Sequence, residues 1–380
     1  FRPVEGYTSF LWVLLLDGVW RLSGVMPPES ANWISLIFSS FTVLLGIIMC
    51  FRLDWKPVFR KYRLLLLFLF LIALLTNRTF LAWTSSGLET AMFNFFLIYW
   101  IFSNFYLEVS SRSWLWSVSV SATLLALTRP DGYLIAFGTS LMILIVLYRK
   151  AKTKIAIDED WLSLLPLGII PLHLFWRKWT YGEWLPNTFY AKSAPNMIWV
   201  KSGYYYLLSF IIEYAFWFYI ALVLVFVVQF FVRLRGAKHE TKLRLWISET
   251  TNLIKLIALI ALFLQFSYYT FIVGGDYFEY RVYVHLIFLL FLSAIWLLNR
   301  VGSRPLLALL FYITFVVASW MIPWSHWYFT RNMTNRQETR ALTISLANDV
   351  HEKIPATPNF VLAYLGYFDK LQAWLIQHYV

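Results

Sequence analysis

Charge and cysteine are what this chain has least of. Only 14% of its 380 residues are Asp, Glu, Lys or Arg, and Cys50 is the single cysteine. One thiol excludes an intramolecular disulfide and any cysteine-based zinc site. The six histidines show no metal-ligand spacing. A P-loop, a dinucleotide-binding fingerprint, a GxSxG elbow and an HExxH helix are all absent from the sequence, and with them the usual marks of nucleotide, hydrolase and zinc chemistry. The shortage of charge excludes most. A soluble domain carries about a quarter charged residues to hydrate its surface, well above what is found here. Against the shortage stand a hydrophobic content of 60% and 20 Trp, 23 Tyr and 34 Phe, rings that favour the two interfaces of a bilayer. The composition is that of an integral membrane protein.

A helix needs about 20 mostly apolar residues to cross the hydrocarbon core. Ten stretches predict such spans: 33–51, 64–83, 89–107, 114–128, 132–148, 161–177, 204–232, 253–273, 282–298 and 305–321. The fifth is short, and Pro166 and Pro171 interrupt the sixth. Residues 8–24 are also apolar but carry Asp17 and Arg21, four apart and so on one helical face. That pattern predicts an amphipathic helix lying in the interface. The chain therefore divides into a loop with its interfacial helix (1–32), a transmembrane bundle of about ten helices (33–322) and a tail (323–380). In the tail, Leu342, Leu346 and Val350 form a helical stripe, NFVLAYLG reads as a short strand, and FDKLQAWLIQHYV as a second helix. This α/β fragment is too small to hold a substantial core by itself.

The net charge of +12 is mainly a topology signal. The segments 51–63, 148–154 and 232–244, with Arg112, Lys255, Arg300 and Arg304, hold 18 of the 32 basic residues. These segments alternate with the others across every span, which predicts that they are cytoplasmic. The N-terminal segment, the remaining loops and the tail then lie outside. A nucleic-acid surface would need those charges on one folded face with interleaved aromatics, and the sequence has no such pattern. Nucleic acid is not an expected partner.

Four polar segments interrupt the apolar background, all on the outer side: TSSGLET (84–90), TRPDGY (128–133), YGEWLPNTFYAK (181–192) and GGDYFEYR (274–281). Local structure accounts for part of this. Ser86 and Glu89 have capping-box spacing, Asp276 and Glu279 repeat it, and Asp131 is placed to cap the fifth span. Gly274 and Gly275 would turn the chain. The same placement also suits an anion. Three of the segments open helices whose N–H groups and positive dipole ends face outward, with Arg129 and Arg281 beside two of them and Arg78 and Lys192 near that level. Guanidinium groups match phosphate bidentately, so a lipid carrying a phosphorylated head group fits. Asp276 and Glu279 offer acid–base chemistry or, with water, a divalent-cation site. Glu213 is the main intramembrane acid, near the outer end of the seventh span, either on an ion path or reaching water. Asn77-Arg78-Thr79 and Asn332-Met333-Thr334 match the glycosylation sequon.

Five motifs in order carry a resemblance: Val4-Glu5-Gly6-Tyr7-Thr8 followed by a Leu/Trp-rich helix, Ser86-Gly87-Leu88-Glu89-Thr90, Thr128-Arg129-Pro130-Asp131-Gly132, Leu185-Pro186-Asn187-Thr188-Phe189-Tyr190-Ala191-Lys192, and Gly274-Gly275-Asp276. Together they resemble the bacterial GT-C glycosyltransferases, in particular the branch of the mycobacterial terminal β-(1→2)-arabinofuranosyltransferase. The resemblance covers essentially the whole chain. It implies an all-α polytopic membrane protein, a GT-C-like helical bundle with a small C-terminal extracytoplasmic α/β segment. It also implies the bacterial cytoplasmic membrane, with the site facing the periplasm or exterior.

Members of that class move a sugar, arabinofuranose in this branch, from a polyprenyl-phosphate donor to an acceptor with inversion. The implied partners are that donor, membrane lipid, and a polysaccharide, lipid-linked glycan or protein acceptor. The resemblance implies no nucleotide site and no particular cofactor, and a divalent cation has a place. The substrate-binding set is Glu89, Arg129, Asp131, Asn187, Tyr190, Lys192, Asp276 and Arg281. The class takes its catalytic aspartate from an acidic motif, expected upstream of Val4 after a first span, so the chain reads as ten spans of an eleven-span enzyme. Within the chain, Asp276 is the candidate acid, and Asp17 does not match the motif. A transporter or flippase of a lipid-linked sugar is the alternative.

Overall fold

The computed structural model describes residues 5–153, 159–192, 197–234, 249–276 and 280–331. The chain divides into two units, Phe1–Trp320 and Met321–Val380. The helix, strand and helix expected at 340–380 lie outside the described residues, as does Asn332 of the second sequon. Among the described residues the protein is helical, without a strand.

Each expected stretch is a helix, but not each is one continuous span. Helix α1 (Phe10–Ser23) forms where the interfacial helix is expected; its 14 residues extend about 21 Å, too short to cross. Asp17 and Arg21 share a face, paired at 2.9 Å and exposed. Helices α2 (Pro27–Phe51) and α3 (Pro57–Arg60) follow. The second stretch is broken into α4 (Arg63–Leu75) and α5 (Arg78–Thr84), bent by 68°. Asn77 makes the break, accepting the Phe80 N–H at 3.0 Å as the α5 cap. That cap is 2% exposed, so the first sequon is not an accessible acceptor for a glycan.

Next come α6 (Thr90–Tyr106), α7 (Arg112–Thr128), α8 (Gly132–Lys152), α9 (Leu165–Tyr181) and α10 (Asn187–Lys192). Helices α6, α7 and α9 have 17 residues each, about 25 Å, against a core of about 30 Å. The seventh stretch is also broken: α11 (Met197–Glu213) meets α12 (Phe216–Leu234) at 88°. No Gly or Pro marks that corner. Ala215 takes it in the left-handed region at φ 50°, with Tyr214 hydrogen-bonded to Thr79. Glu213 closes α11 at the corner, half-buried rather than mid-span.

Helix α13 (Thr250–Ser267) runs into a π-helical turn, Tyr268–Ile272. Helix α14 (Val284–Val301) follows a 3₁₀ turn, Arg281–Tyr283, and α15 is Pro305–Arg331. Among the described residues five helices are long and apolar enough to cross a membrane, or up to seven if each bent pair is one span. That is fewer than the ten expected, because two stretches are broken and α6, α7 and α9 are short. The architecture is therefore an all-α, multi-pass membrane bundle.

Helices α2, α6, α7 and α8 pack in series, α13 lies on α8, and α14 packs against α4 and α12. Phe70 and Phe288 meet edge to face at 5.5 Å across α4 and α14. Trp100 Nε1 donates to Thr139 Oγ1 at 2.9 Å, joining α6 to α8. The described basic residues pair with neighbouring loops at the ends of these helices. There Lys56 Nζ donates to the Arg300 carbonyl at 2.6 Å, Lys150 pairs with Asp160 at 2.6 Å, and Arg112 pairs with Glu159. The polar segments 84–90 and 128–133 lie where α6 and α8 begin.

Two measurements test this architecture. In a Cys50→Ala background, cysteines at Lys152 and Glu183, both exposed, should react with a membrane-impermeant maleimide from opposite faces. Reaction from one face would overturn the alternation. Gly203 on α11 lies against the π turn, and a Cβ there would sit 1.6 Å from the Thr270 carbonyl oxygen. Gly203→Val should therefore lower apparent thermal stability in detergent by about 1–3 kcal/mol or more. Gly168→Ala, inside α9 with open space around it, should not lower stability and should raise it by up to about 1 kcal/mol.

Candidate functional site

The polar cluster is built on the turn between α7 and α8. Arg129 ends α7 in extended conformation, and the chain turns at once, with Gly132 N donating to the Arg129 carbonyl at 3.0 Å. The turn is tight enough that a Cβ on Gly132 would lie 2.3 Å from the Leu125 backbone. Asp131 occupies the N-cap position of α8, but its side chain caps nothing. It turns instead to Arg129. Its Oδ1 accepts from Arg129 Nε at 3.1 Å and from the Tyr269 hydroxyl at 3.0 Å; its Oδ2 accepts from Gln265 Nε2 at 3.0 Å. Arg129 also donates to the Tyr269 hydroxyl. Its guanidinium lies 5.0 Å from the ring centres of both Phe93 and Tyr269. The Arg129 and Asp131 side chains are 6% and 0% exposed.

The partners Gln265 and Tyr269 come from the end of α13 and its π turn. Such a turn widens the helix by one residue and re-aims the side chains it carries. Here Tyr269 points to Arg129–Asp131, while Thr270 meets the Tyr283 hydroxyl at 2.6 Å. Gly274 and Gly275, at φ 80° and 86°, then turn the chain toward α14. Beyond them Asp276 pairs with Arg281 Nε at 2.8 Å, their side chains 5% and 14% exposed. The Arg281 guanidinium stands 6.0 Å from the Trp83 ring centre, at the end of α5, the helix that Arg78 opens.

The structure thus gathers Glu89, Arg129, Asp131, Asp276 and Arg281 around α6, α8 and the approach to α14. Glu89 is buried within electrostatic reach of Arg129, and His285 on the first turn of α14 is within reach of Asp131 and Arg129. Two capping expectations are corrected. Glu89 is itself the N-cap residue of α6, without a side-chain bond, because Gly87 at φ 71° turns the chain first; Ser86 Oγ accepts only the Leu88 N–H. Asp276 precedes the start of α14 by too far to cap it and pairs with Arg281 instead; Glu279 lies outside the described residues. Asn187 and Tyr190 are exposed on α10, and no described contact joins them to the cluster. The Lys192 side chain lies outside the described residues. No group of three His, Cys, Asp or Glu placed to hold a metal ion occurs among the described residues. The chain matches no protein-family model, no curated protein and no solved structure.

A second buried cluster escaped the sequence reading. Glu5 and Arg177 form an ion pair at 2.7 Å with both side chains 2% exposed, and Tyr133 on the first turn of α8 accepts from Arg177 at 3.3 Å. Burial pushes the Glu5 carboxyl above its usual range, against the pull of Arg177. The available signal was Arg177 itself, at the C-terminal end of the sixth apolar stretch beside Lys178.

If the first cluster folds around its ion pair, Asp131→Leu should strand a buried guanidinium and cost about 3–5 kcal/mol. The double variant Arg129→Met/Asp131→Leu should regain most of that loss. The apparent melting temperature and monodisperse yield in detergent report it. A double variant as unstable as the single one would place the stability elsewhere.

Proposed function

We propose that the chain is an inverting membrane glycosyltransferase. It moves a sugar from a polyprenyl-phosphate donor to a glycan or protein acceptor at the motif-bearing end of the bundle. One observation carries the reading: motif residues as distant as Glu89, Arg129–Asp131 and Asp276–Arg281 lie around a common set of helix starts. Helix N-termini and guanidinium groups together make a fixed positive field. A phosphate leaving group gains negative charge as its bond to the anomeric carbon breaks, so that field favours the transition state over the ground state.

In the reaction, an acceptor hydroxyl loses its proton to a carboxylate and attacks the anomeric carbon in line. The bond from that carbon to the phosphate oxygen breaks, and polyprenyl phosphate departs with the electron pair. Arg129, held by Asp131, Gln265 and Tyr269, supplies preorganised charge. Arg281, the less enclosed of the two arginines, is the one suited to touch the phosphate. Asp276 beside it is the acid this chain offers nearest that point. The resemblance of the five motifs to the GT-C enzymes of the arabinofuranosyltransferase branch supports arabinofuranose as the sugar. It also supports the bacterial cytoplasmic membrane, with the reacting face outside.

The corner between α11 and α12 and the π turn after α13 favour a second reading, a flippase of a lipid-linked sugar, since transporters bind at discontinuous helices. The enzyme reading accounts better for polar residues collected at one end. The test is sugar transfer from synthetic polyprenyl-phosphate sugars by the full chain in lipid nanodiscs. Arg281→Ala and Arg129→Ala should each lower turnover by about 100-fold or more. Normal turnover and donor affinity in both would sink the phosphate site. Movement of intact lipid-linked sugar across proteoliposomes without transfer would favour the flippase.

A further inference from the structure

The Glu5–Arg177 pair is built as a three-way joint. Arg177 Nε lies 2.7 Å from Glu5 Oε2 and Nη2 donates to Oε1 at 2.9 Å, while Nη1 donates to the Tyr133 hydroxyl at 3.3 Å. One guanidinium on α9 therefore holds the segment leading into α1 and the first turn of α8, only two residues beyond Asp131. Further contacts lie along the same line. The Tyr7 and Tyr181 hydroxyls meet at 3.4 Å. Phe10, the first residue of α1, lies 4.3 Å from the His173 ring, which stacks on Trp176 at 5.6 Å. His173 is buried with neither ring nitrogen hydrogen-bonded, so it contributes ring surface rather than polarity.

Stability alone does not account for the joint. Burial raises the Glu5 pKa despite Arg177. A carboxyl whose folded value is raised contributes most below its ordinary pKa, and that contribution is lost as pH rises through the raised value. Enclosing the pair costs hydration of both charges, and what the contact supplies in return is a definite geometry. The groups that face Glu5 are Arg177 on α9, Tyr133 on α8 and Tyr7 on its own segment; His173 and Tyr181 lie beyond them, beside Arg177 and Tyr7.

We propose that Arg177 is a positioning residue: by gripping Glu5 and Tyr133 together, it registers the segment before α1 against the α7–α8 turn that carries Arg129 and Asp131. The catalytic consequence rests on the glycosyltransferase reading, while the registration itself does not.

Hydrogen–deuterium exchange and transfer kinetics on the full chain in nanodiscs separate the two. Arg177→Met and Glu5→Gln should speed exchange across 5–23 by about tenfold or more and leave α13 and α14 as in the parent. They should also lower kcat with the donor KM unchanged. Arg177→Lys, which keeps the charge but not the two-pronged grip, should recover part of the protection. Glu5→Gln preserves shape and stands in if Arg177→Met fails to fold. Parent-like exchange over 5–23 in Glu5→Gln, or a donor KM that rises as kcat falls, would overturn the proposal. If the parent protein transfers no sugar, the function fails, and the exchange result still decides the joint.

Discussion

A charge buried in a bilayer-embedded bundle must find its countercharge inside the protein, because hydrocarbon offers it neither water nor counterions. The motif-bearing end is organised by that constraint. Arg129 with Asp131, Arg281 with Asp276, and Arg177 with Glu5 are each enclosed and each paired. Each pair also fixes backbone. Arg129–Asp131 locks the α7–α8 turn, Asp276–Arg281 closes the loop into α14, and Glu5–Arg177 ties the entry to α1 onto α9 and α8. Removing one partner leaves a bare buried charge, so these loops are held at definite positions where flexible loops would otherwise be expected.

Paired in this way, the arginines are not loose cations awaiting an anion. Asp131 uses both oxygens, on Arg129, Tyr269 and Gln265, so it is spent on holding Arg129 and is a poor acceptor of a substrate proton. Arg129 is correspondingly a fixed source of positive potential rather than a mobile ligand. The Asp276–Arg281 pair is the more open of the two around the helix starts, which on the proposed reading leaves a rigid inner pair to hold charge and an outer pair to meet the donor phosphate. The two are coupled through the α13 terminus, since its π turn carries Tyr269 to one and the following glycines lead to the other.

Much of this was legible residue by residue. Apolar runs placed the helices, and the Asp17–Arg21 spacing marked α1 as a helix with one polar face. The clustering of TSSGLET, TRPDGY and GGDYFEYR at helix starts pointed to the end where Glu89, Arg129 and Arg281 lie. The failures have physical causes. The α11–α12 corner turns at Ala215, with neither Gly nor Pro to announce it, because packing of Tyr214 on Thr79 holds the left-handed residue. Asp131 looks like a cap in one dimension, but the buried Arg129 takes its carboxylate while turn carbonyls satisfy the Gly132, Tyr133 and Leu134 N–H groups. Glu89 is moved to the N-cap position because the chain turns at Gly87. Nothing near Glu5 in sequence names Arg177, which is 172 residues away.

Composition and periodicity by themselves determined that this is a helical membrane protein, where its apolar helices lie and which segments are polar. These are local properties, set by burial of side chains at a fixed rise per residue. Which acid pairs with which arginine, where a helix breaks, and whether a carboxylate caps a helix or holds a cation were decided only by tertiary structure. Those choices depend on charges brought together from distant segments, in a medium that forbids leaving any of them alone.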